Sequence, residues 1–226
     1  MDQKHSIITR VEKQKRHPRY NIYINEEYAF AAHEDLVIKH RLLKGASLEA
    51  ELIRQIIQEE ELHQAYLYAI RVIGRRPHSA YEIKEKLKTK GYDGVTANTV
   101  LEKLIHQRYV NDLDFAKAWV EHRVRMQKKG ARWVRHELRQ KGVSQENVEK
   151  AMADLDRDAE WEAAVQLGDK KWRQTKGEPR DKKRKVAAYL LRRGYSSAIV
   201  KRVVNTLINR DSEDEATETI FNDDDY

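Results

Sequence analysis

The residues best placed to do chemistry are basic, and many fall at helical spacing. Arg132, Arg135 and Arg139 stand at i, i+3 and i+7, so a helix through them carries all three on one face. Arg123, Arg125, Lys128 and Lys129 lead into that segment. Upstream, Arg75 and Arg76 precede Lys84 and Lys88, themselves one helical turn apart. Downstream come Lys170, Lys171 and Arg173, then a run from Lys182 and Lys183 to Lys185, then Arg192 and Arg193. Residues 161–210 hold 14 cations against four acids. Such groups suit nucleic-acid phosphates, which position a protein without conveying base sequence. The basic surface formed by these residues is the candidate site for DNA or a protein–DNA filament. The competing reading is plain solvated helix surface, because Lys and Arg are good helix formers and 182–185 runs right round a helix. Trp119, Trp133, Trp161 and Trp172 either stack on bases or sit in cores and interfaces.

Other chemistry finds no support. The chain has no cysteine, which removes disulfides, thiolate metal sites and cysteine nucleophiles. Neither common phosphate cradle, G-x-x-x-x-G-K-[ST] or G-x-G-x-x-G, is present, and no G-x-S-x-G elbow occurs. Nine histidines are scattered without ligand spacing and read as surface or packing residues. No catalytic residue, metal or cofactor is expected. No apolar stretch approaches the roughly 20 residues needed to cross a bilayer, and Met1 to Arg10 lacks a signal-peptide core, so a cytoplasmic location is expected.

Net charge is +7, but Asp211 to Tyr226 holds eight acids and no Lys or Arg. The body before Asp211 therefore sets 44 cations against 29 acids, a net +15. The tail, 211–226, is expected to be disordered and able to fold back over the basic body.

The elements that must position these cations emerge when the chain is aligned on Gly91, Gly142 and Gly194. Four residues before each glycine stands Leu87, Leu138 or Leu190; eight before stands Ile83, Val134 or Val186. A cation immediately precedes each glycine (Lys90, Lys141, Arg193), and Tyr92, Val143 or Tyr195 follows. Thirteen residues after each glycine the columns give leucine again: Leu104, Leu155 and Leu207. The spacing predicts a helix burying its Ile/Val and Leu, stopped by a glycine in left-handed backbone, then a second helix. Ser144 and Ser196 are N-caps for that next helix, and Ser79-Ala80-Tyr81-Glu82 is a capping box. Opening helices run through Tyr66–Ile73, Phe115–His122 and Trp161–Gly168.

Three tandem three-helix units follow, over 62–111, 112–158 and 159–210, the third with a basic insertion from Lys170 to Lys185. Residues 1–61 differ. Tyr20 to Ala31 alternates like a β-hairpin turning near Asn25 and Glu26, Ile7 to Val11 can add a strand, and helices are expected over about 34–43 and 48–60. The fold class is mainly α, a tandem array of three-helix repeats behind a small N-terminal β-hairpin with helices.

The segment Arg75-Arg76-Pro77-His78-Ser79-Ala80-Tyr81-Glu82-Ile83, with Leu87 and Lys90-Gly91, resembles the first repeat of the RecX family. Tyr109-Val110-Asn111-Asp112, with Phe115-Ala116 and Ala118-Trp119-Val120, is similar to that family's junction into its second repeat. Gly130, Glu137-Leu138 and Lys141-Gly142-Val143 continue the pattern. The likeness is strong over about 64–155, weaker over the third unit and poor over the first 60 residues. It implies an elongated, curved array that binds the RecA–DNA filament and restrains RecA's ATPase, strand exchange and co-protease activities. The implied partners are the RecA filament and single- and double-stranded DNA, with no membrane and a monomeric chain. It supplies no catalytic residues. Two other readings stay open: a general DNA-binding helical module, and a protein-interaction array whose cations serve solubility.

Overall fold

The computed structural model describes residues 6–222, with side chains as far as Arg210. It divides into two compact units, Met1–Pro77 with Ile83–Tyr109, and His78–Glu82 with Val110–Tyr226. The elements are β1 (Ser6–Lys13), β2 (Arg19–Ile24), β3 (Glu27–His33), α1 (Glu34–Lys39), β4 (Ser47–Leu48), α2 (Ala50–Ile73), α3 (Ala80–Thr89), α4 (Gly94–His106), α5 (Asp112–Glu121), a π-helical turn (His122–Met126), α6 (Ala131–Gln140), α7 (Gln145–Ala153), α8 (Arg157–Gln174), α9 (Pro179–Arg192) and α10 (Ser197–Asn222). The side chains of 211–222 and all of 223–226 lie outside the described residues. So do the disorder expected of the tail there and its folding back on the body.

In the first unit the expected hairpin, β2 with β3, forms one side of a four-stranded antiparallel sheet of order β3-β2-β1-β4. Asn25 and Glu26 join β2 to β3 with φ of 49° and 71°, the two positive values that a two-residue hairpin turn requires. The segment expected to add a strand is β1. The short β4 pairs on its far side, with Ser6 opposite Leu48. One face buries Ile8, Ile22, Phe30 and Ala32 against Leu36, Leu42, Leu48 and Ile56. The helices expected over 34–43 and 48–60 differ from those observed. The first stops at Lys39, and the second continues unbroken to Ile73 as a 24-residue helix. No Gly or Pro interrupts 50–73, so the second half of α2 serves as the opening helix of the first repeat. Similarly, the basic insertion Lys170–Lys185 is mostly helix. It lengthens α8 to Gln174 and begins α9 at Pro179, whose fixed φ suits a first helical turn.

The glycine-centred columns are all placed. Ile83, Leu87, Val134, Leu138, Val186 and Leu190 are at most 1% exposed. Gly91, Gly142 and Gly194 have φ of 102°, 73° and 90°. In each case the residue after the glycine donates its N–H to the leucine carbonyl five residues back: Tyr92 to Leu87 at 3.2 Å, Val143 to Leu138 at 3.1 Å, Tyr195 to Leu190 at 3.2 Å. These are Schellman closures, which give orphan helix carbonyls a partner. The capping box closes both ways, with Glu82 N–H donating to Ser79 Oγ and Ser79 N–H to Glu82 Oε2. Ser144 and Ser196 cap α7 and α10 as expected.

Repeats are joined through helix ends. The N–H of Gly130, which caps α6, donates to the Arg193 carbonyl at 3.0 Å, and Arg132 N–H donates to Gly194 O at 3.0 Å. Between them, Ala131 N–H donates to Glu160 Oε1 of α8 at 2.7 Å. Comparable bonds lie elsewhere within the second unit. Ala80 N–H donates to Asp112 Oδ1 at 2.8 Å, and Ser79 Oγ–H to the Lys141 carbonyl at 2.6 Å. A Cβ on Gly130 would lie 2.3 Å from Gly194 C and Tyr195 N, and one on Gly142 would lie 2.3 Å from Tyr81 Cβ.

Gly130→Ala tests this join, because its φ of −77° suits any residue and the only obstacle is backbone contact. Overpacking of this kind costs about 1–3 kcal/mol. Gly45→Ala, in left-handed backbone with open space around it, should cost only the conformational penalty, about 1–2 kcal/mol. Urea denaturation should show a lower midpoint for Gly130→Ala than for wild type. An unchanged midpoint would mean that the close approach contributes nothing.

Candidate nucleic-acid interface

α6 presents the arginine face expected of it. Val134 and Leu138 are fully buried, while Arg132 and Arg139 are exposed and Arg135 is half-exposed. Arg132 has no ion partner among the described residues. Arg135 lies 3.8 Å from Glu149, and Arg139 Nε donates to Gln145. Exposed pairs of this kind are worth about 0–1 kcal/mol and exchange readily for a phosphate.

The join between repeats draws further cations to the N-terminus of α6. Lys128 sits in left-handed backbone at φ 50°, its carbonyl accepting the Tyr195 hydroxyl at 2.9 Å. Burial pushes the Tyr195 phenol far above its ordinary range, so it stays a neutral donor. Arg193 donates from Nη1 to the Gln127 carbonyl at 3.1 Å. Lys129 Nζ lies over the Trp133 ring at 4.0 Å, and Trp133 is 38% exposed. The backbone of Lys128, Lys129 and Arg132 thus meets Arg193 in one corner, although more than 60 residues separate its two sides, and the Lys128 Nζ donates to Gln166 Oε1 at 2.6 Å.

Not every candidate belongs to this corner. Arg123 is stacked 4.1 Å over Trp119 and paired to Glu137 at 2.7 Å with only 18% of its side chain exposed, so it holds the repeat together. Arg125 pairs with Asp156, Arg173 with Asp169 and Lys88 with Glu85. Lys170 and Lys183 are exposed, Lys182 lies 5.4 Å over Trp172, Lys171 is 5.9 Å from the Tyr189 ring, and Arg192 is exposed at the end of α9. Arg75, Arg76, Lys84 and Lys88 belong to the other compact unit, Arg76 bonding to the Pro77 carbonyl. Of the tryptophans, Trp172 is 4% exposed and is a core residue, while Trp119 donates its indole N–H to Glu137.

Sequence reasoning gave no joining role to Glu137, Asp112 or Glu160, acids whose partners lie 14 to 32 residues away. Nor did it find that His33 and His63, 30 positions apart, come together beside Asp35.

No described helix is long and apolar enough to cross a membrane.

Burial opposes ionisation of Glu137, but hydrogen bonds from Trp133 and Trp119 and the Arg123 charge outweigh it and hold the carboxyl below its ordinary 4.5. An acid with a depressed folded pKa adds stability that is complete above the unfolded value and fades as pH falls through the folded one. Glu137→Gln should therefore flatten the loss of urea resistance between about pH 5 and about pH 3 while also lowering stability at neutral pH. Parallel curves for variant and wild type would remove Glu137 from the acid response.

Comparison with known proteins now bears on this geometry. Residues 6–49 match the model of the regulatory protein RecX N-terminal domain, and 65–104, 111–152 and 158–204 match the first, second and third RecX three-helix domains. The likeness thus extends to the first 60 residues, where motif reading found little. The regulatory protein RecX of Halalkalibacterium halodurans is 32% identical over 221 residues, covering 95% of this chain and 83% of the relative. That of Clostridioides difficile is 32% identical over 212 residues, covering 92% and 99%. A crystal structure of a regulatory protein RecX superposes with a TM-score of 0.73 at 28% identity, covering 88% of this chain and 99% of its own. RecX from Lactobacillus salivarius, at 22% identity and a TM-score of 0.62 over 66% of this chain, shares the fold. On four domain matches in order and relatives similar over nearly their whole length, this chain belongs to the RecX family of regulatory proteins.

Proposed function

We propose that the chain is a non-enzymatic modulator that binds the RecA–DNA filament and restrains RecA's ATPase, strand exchange and co-protease activities, acting as a monomer in the cytoplasm. Membership of the RecX family supports RecA as the partner. The observation that carries the DNA contact is the corner where Lys128, Lys129, Arg132 and Arg193 converge beside the α6 arginine face. All of these cations are side chains on helix surfaces or tight turns. They suit the phosphate backbone, single- or double-stranded, within a filament. Recombination, DNA repair and the SOS response are the processes such an activity would serve. A general DNA-binding module is the second reading, since the same corner would grip bare DNA.

Substoichiometric protein should suppress RecA-driven strand exchange, and Arg132, Arg135 and Arg139 changed together to Ala should weaken the suppression without loss of helical signal. Four phosphate contacts would weaken binding about a hundredfold between roughly 50 and 200 mM salt. Equal affinity for bare DNA and for RecA-coated DNA would favour the second reading. Salt-insensitive binding would leave the cations a solubilising role.

A further inference from the structure

His33 ends β3 and caps α1, where its Nδ1 accepts the Asp35 N–H at 3.3 Å and lies 3.4 Å from Asp35 Oδ2. His63 approaches from α2, its ring centroid 4.3 Å from that of His33 and tilted by 43°. The His63 Nε2 is buried and has no hydrogen-bond partner. A buried imidazole nitrogen left without a partner is uncommon and calls for an explanation. One donor atom from each of His33, Asp35 and His63 fits within 4.8 Å of the others.

The surroundings hold these groups in place. Glu60, one turn before His63 on α2, accepts the His33 backbone N–H at 2.6 Å and an Arg19 guanidinium hydrogen at 2.7 Å. Gln64 donates at 3.0 Å to Oε1, the same oxygen that pairs with Arg19, while the His33 N–H takes Oε2. The end of β3 and one face of α2 are therefore locked together, with the two rings between them. A cleft of about 300 Å³ lined by His63, Leu36, Lys39, Glu59, Tyr66 and Lys103 gives a small ion access to the face of α2 that bears His63. Desolvation lowers the His63 pKa, helped by the neighbouring His33 and by Lys103, while Glu60 and Asp35 act the other way.

We propose that His33 Nδ1, His63 Nε2 and an Asp35 carboxylate oxygen form a site for a late divalent transition metal, zinc first among them, with water completing the coordination. Two imidazoles and one carboxylate select such ions over calcium or magnesium, which prefer all-oxygen shells. Metal at His33 Nδ1 replaces only the 3.3 Å capping bond and leaves the Nε2 proton in place, so no imidazolate is needed. Zinc bonds of about 2.0–2.2 Å require the three donors to close from their present spread, a movement within reach of side-chain torsions at the exposed Asp35. The bound ion would pin α1, β3 and α2 together within the first unit. It is independent of the basic surface and of RecA.

The test uses untagged full-length protein, stripped with chelator and titrated with Co²⁺ while visible absorption is followed, then with Zn²⁺ in competition. One ion per chain is expected, displaced by Zn²⁺, with a higher melting temperature in the loaded form. His63→Gln and Asp35→Asn should each weaken uptake at least about tenfold, the order seen for disturbed metal shells, while His136→Gln on exposed α6 leaves it unchanged. Asp35 is 71% exposed, so Asp35→Asn keeps the test valid if the His63 variant folds poorly. Absence of stoichiometric uptake by the wild type would overturn the proposal. Equal uptake by wild type and a folded variant would also overturn it, assigning the ion to other histidines.

Discussion

Much of the second unit depends on one constraint: backbone from two repeats must meet where the α6 N-terminus receives the end of α9. Gly130 and Gly194 make room for it, since a Cβ on either would fall within 2.5 Å of main-chain or Cβ atoms opposite. With that space open, two N–H groups of α6 reach carbonyls of Arg193 and Gly194, and Glu160 takes the third. Burial of Tyr195, the left-handed turn at Lys128 and the position of Arg193 all follow from the same approach. Each repeat keeps its own core, one around Phe115, Val134 and Leu138 and another around Ala164, Val186 and Leu190, so the helix-end contacts join two packed bodies.

What was legible in the sequence was local. A glycine after an Ile-x-x-x-Leu helix, a capping box and a serine N-cap each bond within about five residues, and all are found as read. The hairpin at Asn25-Glu26 was legible for the same reason. The unbroken α2 was not, because hydrophobic spacing shows where a helix is useful and the absence of Gly and Pro lets it run on. The strand β4 is two residues long and exists only because β1 offers it an edge. Among the site residues, the cations were legible as a class, but not their division. Arg123 reads like its neighbours yet is held between Trp119 and Glu137, because its partners lie four positions before it and fourteen after. The joining roles of half-buried Asp112 and buried Glu160 were not legible, since charged residues at helix starts are ordinary and only the fold shows that each accepts an N–H from the start of a distant helix.

Aromatic rings organise much of the charge. Arg202 lies 4.0 Å over Trp161, Lys129 over Trp133 and Lys141 over Trp119. A cation over a ring face keeps its charge and much of its hydration while its aliphatic stem covers apolar surface. Lys129 and Arg202 therefore contribute to packing with no ion pair of their own among the described residues, whereas Lys141, paired to Glu82 at 2.6 Å with 20% of its side chain exposed, is held like Arg123.

The helix-end joins also bear on how the proposed polyanion contact could be made. Free amides at a helix start make a preformed oxyanion cradle with fixed geometry. In α6 the amides of 130, 131 and 132 are already engaged, and in α3 so are those of 79, 80 and 82. At these two helix starts a phosphate could therefore be met only by side chains and not by backbone amides. If the proposed polyanion contact is made there, flexible side chains would follow a displaced phosphate where a fixed backbone cradle could not.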